Sequence, residues 1–173
     1  IYIFISAWCL VSIHQISLRR FNTIWQSFSS TLKRILGAIL LSFLIFIPIL
    51  IGLIEAMMAI QQKVQPSILS LFAMVIGIGL YIRLCLAPVH YLLTNDSISH
   101  SAKITWRAAM GRVSVLFIFC LLIYVLIPFM ENFLTAFSSN AIMALISGIL
   151  VALINVFALV VTYRFYTLFI SKA

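Results

Sequence analysis

Acidic side chains are almost missing from this sequence. Glu55, Asp96 and Glu131 are the three it holds, and charged residues of both signs reach only 8% of the chain. A soluble domain carries about a quarter charged residues and is near half apolar. Here 65% of residues are hydrophobic. Water could not dissolve that surface without making it one adhesive patch. Cysteine is scarce as well. Cys9, Cys85 and Cys120 form no CxxC and are odd in number, which excludes a disulfide framework or a cysteine zinc site. They read as small buried hydrophobes. His14, His90 and His100 are too scattered to converge on a metal. No Ser or Thr has a His or acid at a spacing that would make a nucleophile and its base. Gly77-Ile78-Gly79 lacks the third glycine of a dinucleotide loop and suits close helix packing instead. We therefore expect no cofactor, no metal and no enzyme activity.

Bases are the charge that is present. Eleven Lys and Arg give a net charge of +8. They do not form the patch that nucleic acid would need. They sit in short connectors between apolar runs, where they set membrane orientation and attract anionic headgroups.

The runs themselves are Ile1–Leu18, Ile35–Ile54, Pro66–Leu84, Val113–Met130 and Ala141–Tyr163. A membrane-spanning helix needs about 20 such residues. None of the runs alternates polar with apolar, so a β-barrel is excluded. The fold class is all-α, a polytopic transmembrane bundle of about five spans. The connectors alternate in charge. Arg19, Arg20, Lys33 and Arg34 fill the first, Lys63 alone the second, and Lys103, Arg107 and Arg112 the third. The fourth has no base, and Arg164 and Lys172 close the chain. The positive-inside rule then places loops one and three and the C-terminus in the cytoplasm. The chain opens on Ile1 inside an apolar run, with no basic leader. We expect a further span upstream, six in the whole protein.

A shift of 74 residues lays Thr23–Gly37 on Ser97–Gly111, matching Ile24 to Ile98, Ser27 to Ser101, Thr31 to Thr105, Lys33 to Arg107 and Gly37 to Gly111. At 100° per residue both segments are amphipathic in the same phase. Ile24, Phe28, Leu32 and Ile35 oppose Asn22, Gln26, Ser29 and Lys33. Ile98, Ala102, Trp106 and Ala109 oppose Asp96, His100, Lys103 and Arg107. Ile104 is a misfit. We expect each segment to lie in the cytoplasmic interface and lead into a span, with Trp25 and Trp106 at headgroup depth. The alternative is that they merely extend the spans that follow. The chain then reads as one membrane domain with a leading span (1–18) and two parallel repeats (23–93 and 97–173). Parallel repeats differ from the inverted kind common in secondary transporters.

Ionisable groups at membrane depth are functional candidates by default. Arg83 and Arg164 end the returning spans of the two repeats. They either snorkel as plain span ends or face one cytoplasmic-side pocket and hold an anionic headgroup. Lys103 and Arg107 on the amphipathic stripe join them as candidate lipid ligands. Pro88, just past Arg83, should end that helix. Glu55, Glu131 and Asn155 are the residues a polar transport path would use. Pro48 should kink the second span, and Gly148-x-x-x-Ala152 is a weak small-xxx-small signal.

Two stretches carry a family resemblance. They are Leu84–Leu93, with Ala87-Pro88 followed by Ser97 to Arg112, and the closing Thr162–Ile170. The chain resembles the uncharacterised YciC-type family of bacterial inner-membrane proteins. It is more distantly similar to the membrane domains fused to some glycerophosphodiester phosphodiesterases. Ser101, Trp106, Arg107 and Arg112 match the amphipathic helix of the family pattern. The resemblance implies about six spans and supplies no catalytic residue. We expect a non-enzymatic inner-membrane protein that binds anionic phospholipid or partner proteins in envelope maintenance. A small-solute transporter component and an accessory domain for a separately encoded enzyme are the alternatives. The topology is open to test: a Ser139→Cys variant should react with a membrane-impermeant thiol reagent from outside the cell, and labelling only from the cytoplasm would reverse the assigned orientation.

Overall fold

The computed structural model describes residues 2–18, 24–136 and 140–171. Arg19, Arg20, Asn22, Thr23, Ser139 and Lys172, which enter the topology and repeat readings, lie outside the described residues. Those described form eight α-helices and one π-helical turn, with no strand among them. In chain order they are α1 (Tyr2–Ser17), α2 (Ile24–Gln61), α3 (Ile68–Leu84), α4 (Ala87–Leu93) and α5 (Ile98–Ala109). Then come α6 (Val113–Leu121), the π turn (Leu122–Leu126), α7 (Ile127–Ala136) and α8 (Ala141–Ser171).

Four stretches are long and apolar enough to cross a membrane: Trp25–Gln61, Ile68–Leu93, Val113–Ala136 and Ala141–Ser171. No more than 22% of the most apolar part of any of them is buried, so most of their Leu, Ile and Phe side chains face outward. That is intolerable in water and ordinary in lipid. The chain is a helical membrane protein. The first expected span is shorter than the rest. At 16 residues, α1 is about 24 Å long, against a hydrocarbon core of about 30 Å.

Local chemistry sets the breaks. Ser67 caps α3 by accepting from the Ser70 amide at 3.2 Å, and Pro88 falls in the first turn of α4, where its missing N–H is harmless. The helix that carries Arg83 thus ends as Pro88 predicts. Pro128 has no amide to give to the residue four back. Just before it the backbone widens to the π turn, and the Ile127 amide bonds Leu122 O instead. Pro48 lies inside α2, and the helix continues past it.

The two amphipathic segments end differently. The second is α5, a separate helix closed by the turn at Met110-Gly111, where Gly111 takes φ +76°, a conformation open to glycine. The first is no separate helix. It runs without a break into the 38 residues of α2, so it extends the span that follows. The matched glycines take different places: Gly37 sits inside the helix, within reach of the Tyr91 ring, while Gly111 makes the turn.

The chain forms two compact units, one of Ile1–Lys33 with Ser114–Ala173 and one of Arg34–Val113. In the first, α8 packs on α7 and on α1. Phe119 stacks on Phe165 at 4.2 Å and Phe165 on Phe169 at 5.5 Å. His14 meets the Tyr163 hydroxyl at 3.2 Å, Gln15 accepts from Ser27, and Asn155 donates to Glu131. In the second, Leu41, Ile45 and Ala87 form the core, with Tyr81, Leu84, Tyr91 and Ile98 against it.

Within that second unit α2 and α3 approach through glycine on both sides. A Cβ at Gly52 would lie 2.8 Å from Ser70 O, and one at Gly77 would lie 2.8 Å from the Ile49 amide nitrogen. Backbone cannot yield as a side chain can. Gly79 and Gly148 face open space, so close packing accounts for Gly77 alone in the Gly77-Ile78-Gly79 motif. Gly77→Ala should cost about 1–3 kcal/mol and lower the thermal midpoint in detergent. Gly79→Ala should leave it unchanged or raise it through helix propensity. Equal midpoints for both variants would show that the helices are not held this closely.

Candidate functional site

The second unit contains an open cavity of about 360 Å³, lined by Leu84, Ser99, Ala102, Lys103, Trp106, Arg107 and Met110. Six of those seven residues lie on or just past α5, which packs on α3 and α4. The helix docks by a face of small residues. Ser101, Thr105, Ala108 and Ala109 are buried. Of the apolar face expected from the sequence, Ala109 is buried and Ile98 packs against the core, while Ala102 and Trp106 are half-buried and line the cavity. The polar stripe stays where periodicity puts it, with His100, Lys103 and Arg107 exposed.

Trp106 is held from α3. The Arg83 guanidinium lies over its ring, 4.8 Å from the centroid, a cation–π contact of about 0.5–2 kcal/mol. Arg83 therefore does not line the cavity. It fixes the aromatic wall and brings a third positive charge to the site. None of Arg83, Lys103 and Arg107 has a hydrogen-bond or ion-pair partner among the described residues. Arg34 differs: it donates to Tyr91 O at 2.7 Å and covers the Tyr91 ring at 5.2 Å.

Of the four candidate ligands, the structure brings three together, Arg83, Lys103 and Arg107. Arg164 belongs to the other unit, exposed one residue after buried Tyr163. The membrane carboxylates each meet a neutral donor: Glu55 accepts from Ser67 in one unit and Glu131 from Asn155 in the other. No group of three metal-ligating side chains occurs among the described residues.

A cluster that sequence reasoning missed adjoins α5. Buried His90 meets Asp96 at 3.1 Å, and exposed His100 approaches the other carboxylate oxygen at 3.9 Å. The available signal was the i, i+4 spacing of Asp96 and His100. His90 joins only because α4 and α5 fold back on each other. The Thr94 side chain, and after it His90, hold the Asp96 carboxyl below its ordinary value of 3.8.

Comparison with known proteins adds one relative. An uncharacterised protein of Haemophilus influenzae is 48% identical over 168 residues, which cover 97% of this chain and 69% of the relative. The chain belongs to the family of that protein. No family model matches the chain, and no solved structure matches it.

A carboxylate with a depressed value stabilises the fold above its unfolded pKa, and the contribution is lost as pH falls through the folded value. Asp96→Asn should therefore lower the thermal midpoint at neutral pH. The gap to wild type should close as pH drops below about 4. A gap independent of pH would show that the Asp96 charge does not matter to this corner.

Proposed function

We propose that this chain is part of a bacterial inner-membrane protein of the YciC type that binds anionic phospholipid headgroups on the cytoplasmic side and performs no catalysis itself. The observation that carries the reading is the setting of Trp106, with Arg83 on its face and Lys103 and Arg107 beside it on the same cavity. The cavity has no acid in its lining. Indole favours the headgroup boundary, and each Lys or Arg near an anionic leaflet contributes about 1 kcal/mol of attraction. The basic connectors support a cytoplasmic placement of this end.

The same reading takes the chain as a parallel duplication. Ser27 and Thr31 are buried, and so are Ser101 and Thr105. Thr31 Oγ1 donates to Ser27 O at 2.8 Å, and Thr105 Oγ1 to Ser101 O at 2.8 Å. The matched burial supports common descent of the two segments; the hydroxyl bond itself recurs at Ser42, Thr94 and Thr162 and is general to helices. Envelope maintenance through lipid or protein binding is the role such a site would serve. A transport reading would rest on the Glu131–Asn155 bond, which is a single contact within one unit.

Mass spectrometry of lipids retained after mild detergent extraction tests the proposal. Wild type should retain anionic phospholipid. Lys103→Ala/Arg107→Ala should retain roughly tenfold less or lower still, with Arg83→Ala weaker than wild type and Arg164→Ala closer to it. Unchanged retention in the Lys103/Arg107 variant would reduce these bases to orientation marks.

A further inference from the structure

The polar rim of the α5 cavity consists of donors. Ser99, Lys103 and Arg107 supply it, bringing one hydroxyl, three ammonium hydrogens and five guanidinium N–H groups. Lys103 and Arg107 stand four residues apart on one helix, a like-charge spacing that weakens a helix unless something offsets it. No acid among the described residues pairs with either. Of the unit's two acids, Glu55 is met by Ser67 and Asp96 by His90 and His100. Arg83 behind the indole adds positive potential and has no acceptor of its own among the described residues. The rest of the lining, Leu84, Ala102, Trp106 and Met110, is apolar.

We infer that the ligand is an amphiphile ending in a phosphate monoester, of the phosphatidic acid class. This deepens the lipid reading above and depends on it. A phosphate monoester carries a charge of about −1.5 to −2 near neutral pH and offers three strong acceptor oxygens. It balances the two cations of the lining, Arg83 staying on the indole face, and uses the Ser99 hydroxyl besides. A phosphodiester brings a single negative charge and two free oxygens, and leaves one cation uncompensated. A zwitterionic ethanolamine headgroup would press its ammonium against a rim that has no carboxylate to receive it. The apolar floor takes the glycerol ester and the first methylenes of the chains, which a soluble phosphate lacks. At about 360 Å³ the cavity is at the small end of ligand sites, the scale of a headgroup with the top of its chains.

The full chain carrying Trp8→Phe and Trp25→Phe leaves Trp106 as its one indole. It is placed in phosphatidylcholine nanodiscs and titrated with lipids whose brominated chains quench nearby tryptophan. Phosphatidic acid should half-quench Trp106 at a concentration about tenfold below that of phosphatidylglycerol, and phosphatidylethanolamine should do no better than phosphatidylcholine. Lys103→Gln/Arg107→Gln should erase the difference between the two anionic lipids. Equal quenching by phosphatidic acid and phosphatidylglycerol, both ahead of phosphatidylcholine, would overturn the monoester inference and leave the anionic-lipid reading standing. No preference among any of the lipids would overturn both. Full displacement of phosphatidic acid by an equal concentration of glycerol 3-phosphate would assign the site to a soluble phosphate and overturn the lipid source. Should the double tryptophan variant fail to fold, native mass spectrometry of the wild-type chain with equimolar phosphatidic acid and phosphatidylglycerol makes the same comparison.

Discussion

Apolar side chains gain little by leaving lipid for one another, because the acyl chains are as apolar as leucine. Helices in this setting cohere by close approach and by hydrogen bonds that lipid cannot replace. The buried polar residues show the result: Ser27, Thr31, Ser70, His90, Ser101, Thr105 and Ser147. All but one are hydroxyl side chains. Ser70, Thr31, Thr105 and Ser147 donate back to a carbonyl of their own helix, so they are satisfied before any neighbour arrives. A small, self-satisfied side chain lets a second backbone come near. Gly52 and Gly77 carry the same logic to its limit between α2 and α3.

The cavity follows from that mode of packing. Because α5 docks through Ser101, Thr105, Ala108 and Ala109, its bulky residue is released from the interior. Trp106 becomes a wall with Arg83 laid across it, and the basic stripe lies beside it. Had the helix buried its largest apolar residues, as one does in water, Trp106 would be core and Lys103 and Arg107 only a solvated edge. Ser101 Oγ is buried with no hydrogen-bond partner among the described residues.

Much of the fold was legible. Long runs free of charge announce helices in lipid, since no other open structure satisfies its backbone there. Pro88 announced the end of α3. Periodicity placed His100, Lys103 and Arg107 on an exposed stripe. Ser27, Thr31, Ser101 and Thr105 were visible as matched identities, but their burial was not, because serine and threonine in a soluble helix point outward more often than in. Family membership with an uncharacterised protein of Haemophilus influenzae adds no activity to this reading.

By itself the sequence determined the solvent, the helical class and the residues that carry charge, because these depend on composition and on the period of a single helix. Which charges meet was decided by tertiary structure alone. Arg83 and Arg164 look equivalent in the chain, each late in a returning run. The fold gives Arg83 to the unit that holds Trp106, Lys103 and Arg107, and Arg164 to the other. It also separates α5 from its span at Gly111 while drawing the matched segment into α2. The physical reason is the same in each case. A contact between helices depends on how closely two backbones approach, and that is set by small residues on both partners, whose pairing no single stretch of sequence records.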